Sequence, residues 1–131
     1  MKKDIEIPIA KDVYVALVDE WNKEFLAKEW NAYLLNDRET AIEMVIIVSK
    51  GFDTERNTST MRHAIGEVGA KSFEKIEMVQ EDVLELNNEF FVTYYADNKL
   101  YEKRFMFESG SISSTNLKLI SLIEKDGILA T

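Results

Sequence analysis

The sequence predicts an all-β fold: an antiparallel β-sandwich of seven or eight strands, immunoglobulin-like in general architecture, with at most short helices. Three observations carry that expectation. Apolar segments rich in β-branched and aromatic residues recur at roughly ten-residue intervals. Polar clusters of Asn, Asp, Ser and Gly separate them. And residues 88–110, NEFFVTYYADNKLYEKRFMFESG, place two aromatic-rich segments on either side of a polar tetrapeptide, as a β-hairpin does.

Taken in order, residues 1–12 form an extended lead-in, in which Ile5, Ile7 and Ile9 alternate with Glu6 and Pro8. Proline cannot donate to a ladder, so this is an edge strand or a loose arm. Val13–Trp21 fits either period. Tyr14, Leu17, Val18, Trp21 and Phe25 fall at helical spacing, but Val13, Val15 and Val18 are β-branched and favour a strand. Residues 22–29 follow as a loop or a short helical turn. Trp30–Leu35 is a short strand. Ala41–Ser49 is nearly continuous in apolar residues, which predicts a central strand buried on both faces and ended by Lys50-Gly51.

Residues 52–59 are a polar loop. Thr60–Val68 is a strand with a bulge at Gly66, since two glycines, Gly66 and Gly69, disfavour a helix. Ser72–Val79 reads as a strand followed by an acidic turn at 80–82. Ile76, Val79, Val83 and Leu86 leave a helix over 74–86 open. In the hairpin, a two-residue turn at Asn98-Lys99 pairs Tyr94 with Lys103, Val92 with Phe105 and Phe90 with Phe107. One face then carries Phe90, Val92, Tyr94, Phe105 and Phe107 inward, and the other presents Phe91, Tyr95 and Met106. Ser113 and Ser114 cap a short helix. Asp126-Gly127 is a turn, and Ile128-Leu129 a last short strand.

Length and composition set the wider frame. The 131 residues fit one domain, 1–131, which buries roughly two thirds of its unfolded surface. With no cysteine there is no disulfide or thiolate metal site, and a reducing, cytoplasmic location is expected. The N-terminus lacks the apolar segment of a secretory signal, and no apolar run reaches the ~18 residues of a membrane span. Twenty-four acidic against 16 basic side chains, a net charge of −8, disfavour direct nucleic-acid binding and anionic membranes.

No cofactor or catalytic set is indicated. His63 is the only histidine, and no G-x-S-x-G frames a serine, so a small hydrolase built on His63 is an alternative only. Glu74, Glu77, Glu81, Asp82, Glu85 and Glu89 read as a solvated acidic face, without the spacing of a calcium loop. The aromatic excess points elsewhere. Phe91, Tyr95, Met106 and Tyr101 form an expected interaction surface, unless residues 111–131 fold over it. A non-enzymatic binding or assembly module follows, with a protein partner or a homodimer as the association.

Residues 58–63 (TSTMRH), 70–77 (AKSFEKIE), 80–90 (QEDVLELNNEF) and 96–99 (ADNK) resemble a group of short bacterial proteins, some of which carry the name phenylalanyl-tRNA synthetase alpha subunit. The resemblance implies an aminoacylation-related role as an alternative. The synthetase motif with the ATP-holding arginine and the later glycine-rich motif have no counterpart in the chain, so no catalytic residue is carried over.

Overall fold

The structure, a computed structural model, describes residues 8–130. Among these, nine strands form two antiparallel sheets. They are β1 (Val13–Asn22), β2 (Ala27–Asn36), β3 (Ile42–Phe52), β4 (Met61–Val68), β5 (Ser72–Val79), β6 (Asn87–Ala96), β7 (Lys99–Phe107), β8 (Lys118–Ile120) and β9 (Lys125–Leu129). One sheet has the order β5-β2-β1-β9-β8 and the other β4-β3-β6-β7. Among the described residues, helix is confined to one turn, α1 (Glu81–Leu84), and to a 3-10 turn at Ser114–Asn116 capped by the Ser113 hydroxyl. The all-β expectation holds, with nine strands among the described residues where seven or eight are expected, because the C-terminal segment forms a hairpin of two strands, β8 and β9, in place of one. The lead-in lies largely outside the described residues, and residues 8–12 hold no strand.

Both sheets contribute to one hydrophobic cluster. Val13, Val15, Leu17 and Leu34 come from the five-stranded sheet, and Ile47, Phe90, Val92, Tyr94, Phe105 and Phe107 from the other. The inward set expected for the hairpin is buried as a group. Its register differs, however. The central turn residues are Asp97 and Asn98, at φ 54° and 62°, and the pairs are Tyr94–Tyr101, Val92–Lys103 and Phe90–Phe105. A two-residue turn of this type needs positive φ at both positions, which Asp and Asn tolerate better than Lys. Moving the turn by one residue shifts every pair by two, and a shift of two preserves the faces.

The first strands form a longer hairpin than their hydrophobicity announces. β2 starts at Ala27, not Trp30, and pairs with β1 as far as Asn22–Ala27. Asn22 Oδ1 accepts from Glu24 N at 2.9 Å and Phe25 N at 3.3 Å, which closes the turn. The missed part, Ala27-Lys28-Glu29, lies at the solvated tip, where no apolar alternation is required.

β3 lies between β4 and β6, as a central strand should. Burial on both faces is not found there: Ile42, Val45 and Ile47 are buried, whereas Ile46 and Val48 are half-buried. It also runs on through Lys50-Gly51 to Phe52. The strand buried on both faces is β1. Its Val15 and Leu17 enter the shared core, while Ala16 and Val18 join Leu35, Ile120 and Ile123 in a second cluster on the opposite face. Ile120 of β8 and Ile123 of the following turn supply the cover, and they are held there because β9 pairs with β1, Ala16 to Leu129 and Val18 to Gly127. The turn before β9 spans 121–124, so Asp126-Gly127 is strand and not turn.

Gly66 has φ +85° and pairs with Val45, while Ile46 pairs with Ala64, leaving Ile65 as the extra residue of a bulge. Ser72–Val79 is a strand, and the helical alternative for 74–86 reduces to the single turn of α1.

Candidate functional site

Of the four side chains expected to form an interaction surface, Phe91, Tyr95 and Met106 share the outer face of β6 and β7 and Tyr101 does not. Phe91 is half-buried beneath Arg104, whose guanidinium lies 6.0 Å from the ring centroid and whose Nε is 3.2 Å from Glu89 Oε1. Tyr95 is 41% exposed beside its cross-strand neighbours Glu43 and Leu100. Met106 is half-buried at the far end of the hairpin, beside a surface hollow with Ser111, Thr115 and Leu129. Tyr101 lies on the other face, stacked on Tyr94 at 5.1 Å and 7° and packed on the core. The C-terminal segment does not cover Phe91 and Tyr95. Its Ile120 and Ile123 pack on Ala16 and Val18 of the opposite sheet.

A different constellation forms where β4 and β5 lie together at one edge of the two sheets. Glu77 of β5 reaches Ser49 of β3 and His63 of β4. Ser49 Oγ donates to Glu77 Oε1 at 2.6 Å, and His63 Nε2 donates to the same oxygen at 2.7 Å. A carboxylate only accepts, so the proton of this contact sits on Nε2. The other oxygen, Oε2, has no hydrogen-bond partner among the described residues.

A backbone irregularity aims Glu77 inward. Ala32 pairs with Glu77 but Tyr33 pairs with Lys75, so Ile76 is an extra residue on β5. In regular alternation, Ile76 and Glu77 would face opposite sides. At the bulge both turn toward the core side, Ile76 into the hydrophobic cluster and Glu77 onto Ser49. That explains why an acid expected on a solvated face is half-buried instead. The other carboxylates of 74–89 do not converge with it, and among the described residues no group of three or more His, Cys, Asp or Glu is placed to hold a metal ion.

Glu77 and Ser49 line a cleft of about 260 Å³, with Met61, Val79, Val83 and Phe90 as apolar walls. Two contacts hold its far wall. Asn88 Nδ2 donates to Val83 O at 2.9 Å and Leu86 O at 3.1 Å, which ties α1 to β6. Gly51 and Thr58 bond each other across the 52–59 loop, Gly51 N to Thr58 Oγ1 and Thr58 N to Gly51 O, both at 2.8 Å. A Cβ at Gly51 would lie 3.1 Å from Val83 Cγ1 and 3.2 Å from Thr58 Cγ2, so a side chain there would press on this wall.

The order of the three polar groups bears on chemistry. In a nucleophile relay the imidazole stands between hydroxyl and acid, so that its nitrogen can take the hydroxyl proton. Here the carboxylate stands in the middle, and both neighbours donate to it. Sequence reasoning named His63 and Glu77 separately; neither residue's spacing hints that they meet.

A second polar cluster sits on the outer face of the five-stranded sheet. Glu20 accepts from Tyr33 Oη at 2.5 Å, from Asn31 Nδ2 at 2.7 Å and from Lys125 Nζ. Burial raises the Glu20 carboxyl, but these hydrogen bonds outweigh it and hold the group below its ordinary range. Burial, then the bond to Glu20, pushes the Tyr33 phenol up. Because Lys125 belongs to β9, the cluster fastens the C-terminal hairpin to β1.

No family model matches the chain, and no curated protein matches it. No helix among the described residues is long and apolar enough to cross a membrane.

Proposed function

We propose that this chain is a non-enzymatic binding module, a β-sandwich of immunoglobulin-like general architecture whose ligand site is the cleft lined by the ends of β3 and β5, with α1 and β6. The strand orders support the architecture. With β1 to β7 lettered A to G, one sheet holds E-B-A and the other holds D-C-F-G. A, B and E on one side and C, F and G on the other is the immunoglobulin-type division, here with the fourth strand beside the third. β8 and β9 extend the first sheet beyond A.

The observation that carries the binding reading is the cleft itself: apolar walls around a half-buried carboxylate with one open oxygen. A concave apolar site with a few convergent polar groups is the usual form of a ligand pocket. The carboxylate-centred order of Ser49, Glu77 and His63 favours holding a ligand over acyl transfer, so the hydrolase alternative draws no support from it. An aminoacylation-related role lacks a cationic cluster for phosphates at this site. A panel of neutral, cationic and anionic fragments at millimolar concentration, followed by NMR, is expected to move the methyl signals of Met61, Val79 and Val83. ATP and phenylalanine are expected to leave them in place. A panel that moves none of them removes the cleft as a ligand site.

Self-association is a second reading, favoured by the packing of the C-terminal hairpin on the opposite sheet. The outer face of β3, β6 and β7 keeps Tyr95, Leu100 and Met44 exposed at one end. A homodimer through that face predicts a molar mass near twice 15.1 kDa by light scattering at high concentration. It also predicts a return to 15.1 kDa when Tyr95 is changed to Glu.

A further inference from the structure

We propose that the cleft takes a primary ammonium group on a short aliphatic stem, with Glu77 as its counter-ion. The inference rests on the binding reading above and specifies the ligand class.

Four observations converge on it. Both internal donors, Ser49 Oγ and His63 Nε2, use the same oxygen of Glu77, so Oε2 is left as an acceptor with no protein partner among the described residues. A half-buried carboxylate with one oxygen open is best completed by a charged donor, because charge-assisted hydrogen bonds are about twice as strong as neutral ones. The lysines nearby are directed elsewhere. Lys50 lines the cleft only from the outer face of β3, its Nζ 3.9 Å from Glu89 and 5.5 Å from the Phe52 ring centroid, and Lys75 Nζ lies 3.7 Å from Glu29.

The walls and the size define the stem. Met61, Val79, Val83 and Phe90 offer apolar contact, and methionine adapts its shape to different occupants. At about 260 Å³ the space falls below the ~300–1,000 Å³ of drug-sized sites, which suits a short chain and not a nucleotide. The net charge of −8 adds long-range attraction for a cation.

Two sources share this chemistry, a free alkylamine and the lysine side chain of a peptide. The test titrates n-pentylamine, n-pentanol and N-acetyl-lysine-N′-methylamide into the full chain, reading the methyl signals of Met61, Val79 and Val83. Saturable shifts with both ammonium compounds, and binding at least tenfold weaker for pentanol, are expected. Tighter binding of the lysine derivative than of pentylamine identifies a peptide as the source; the reverse identifies a free amine. Glu77→Gln is expected to weaken ammonium binding at least tenfold while pentanol binding stays unchanged. Should Glu77→Gln fail to fold, Met61→Lys replaces it. Met61 is exposed at the cleft mouth, and an ammonium there competes for Glu77, so several-fold weaker binding is expected. Pentanol binding as tightly as pentylamine, or ammonium binding unaffected by either substitution, overturns the ammonium assignment while leaving the cleft as a site. Absence of shifts with all three compounds overturns it too; the fragment panel then decides whether the cleft binds anything.

Discussion

Asn36→Asp is expected to destabilise the protein by about 3 kcal/mol or more, the range for a charge buried without a partner. Asn36 is 0% exposed at the end of β2. Its Nδ2 donates to Thr40 O at 3.1 Å, Val68 O at 3.1 Å and Gly69 O at 2.9 Å, and its Oδ1 accepts from Arg38 N at 3.1 Å. One side chain thereby joins the β2–β3 connection to the end of β4 and the turn into β5, where the chain passes between sheets. Aspartate has nearly the same shape, but it places a carboxylate oxygen against three carbonyl oxygens. Burial and those dipoles both disfavour its charged form, so the folded-state pKa of the new acid lies above its unfolded value. The deficit is therefore smallest below pH ~4, where the acid is protonated in both states, and grows as pH rises. Urea unfolding at pH 4 and pH 7 measures it. Equal stability of the variant and the parent at pH 7 would show that the amide donors do not matter.

Gly127→Ala is expected to cost about 1–3 kcal/mol, the usual range for an overpacked core position. A Cβ on Gly127 would lie 2.7 Å from Ile120 Cδ1, 2.7 Å from Leu17 O and 3.2 Å from Val18 Cγ2. The isoleucine can change rotamer, but the Leu17 oxygen belongs to β1 and cannot withdraw without disturbing the sheet. Removing the movable obstacle, in Gly127→Ala with Ile120→Ala, should therefore not restore stability. The strain falls on the β1–β9 ladder, so hydrogen exchange at 125–130 should accelerate more than exchange in β6. A urea midpoint unchanged by Gly127→Ala would mean that β9 can move away from β1 at no cost.

How much of this was legible depended on whether a feature repeats. The faces of the 88–110 hairpin follow from alternation over nearly twenty residues, and they survived a misplaced turn because a shift of two residues changes no face. β1 was legible as a strand through its valines. Its burial on both faces was not, because the cover comes from Ile120 and Ile123, about a hundred residues away. The Ala41–Ser49 run misled for the converse reason: Ile46 and Val48 are apolar without being fully covered. The candidate site was the least legible part. Glu77 meets His63 and Ser49 only because β5 carries one extra residue, and nothing in SFEKIEMV marks where a bulge falls. Single events of this kind have no period to read.

The pairing of β1 with β9 has a consequence for how the molecule assembles. Ala16 sits opposite Leu129, and Ala130 N donates to Val15 O at 3.0 Å. Hairpins such as β1–β2 and β6–β7 close short loops and can form early, whereas this ladder must join residues 15–18 to residues 127–130. During synthesis the outer face of β1, with Ala16 and Val18, therefore stays open until the segment that holds Ile120 and Ile123 emerges. The segment that completes the five-stranded sheet is thus also the one that shields it from other chains.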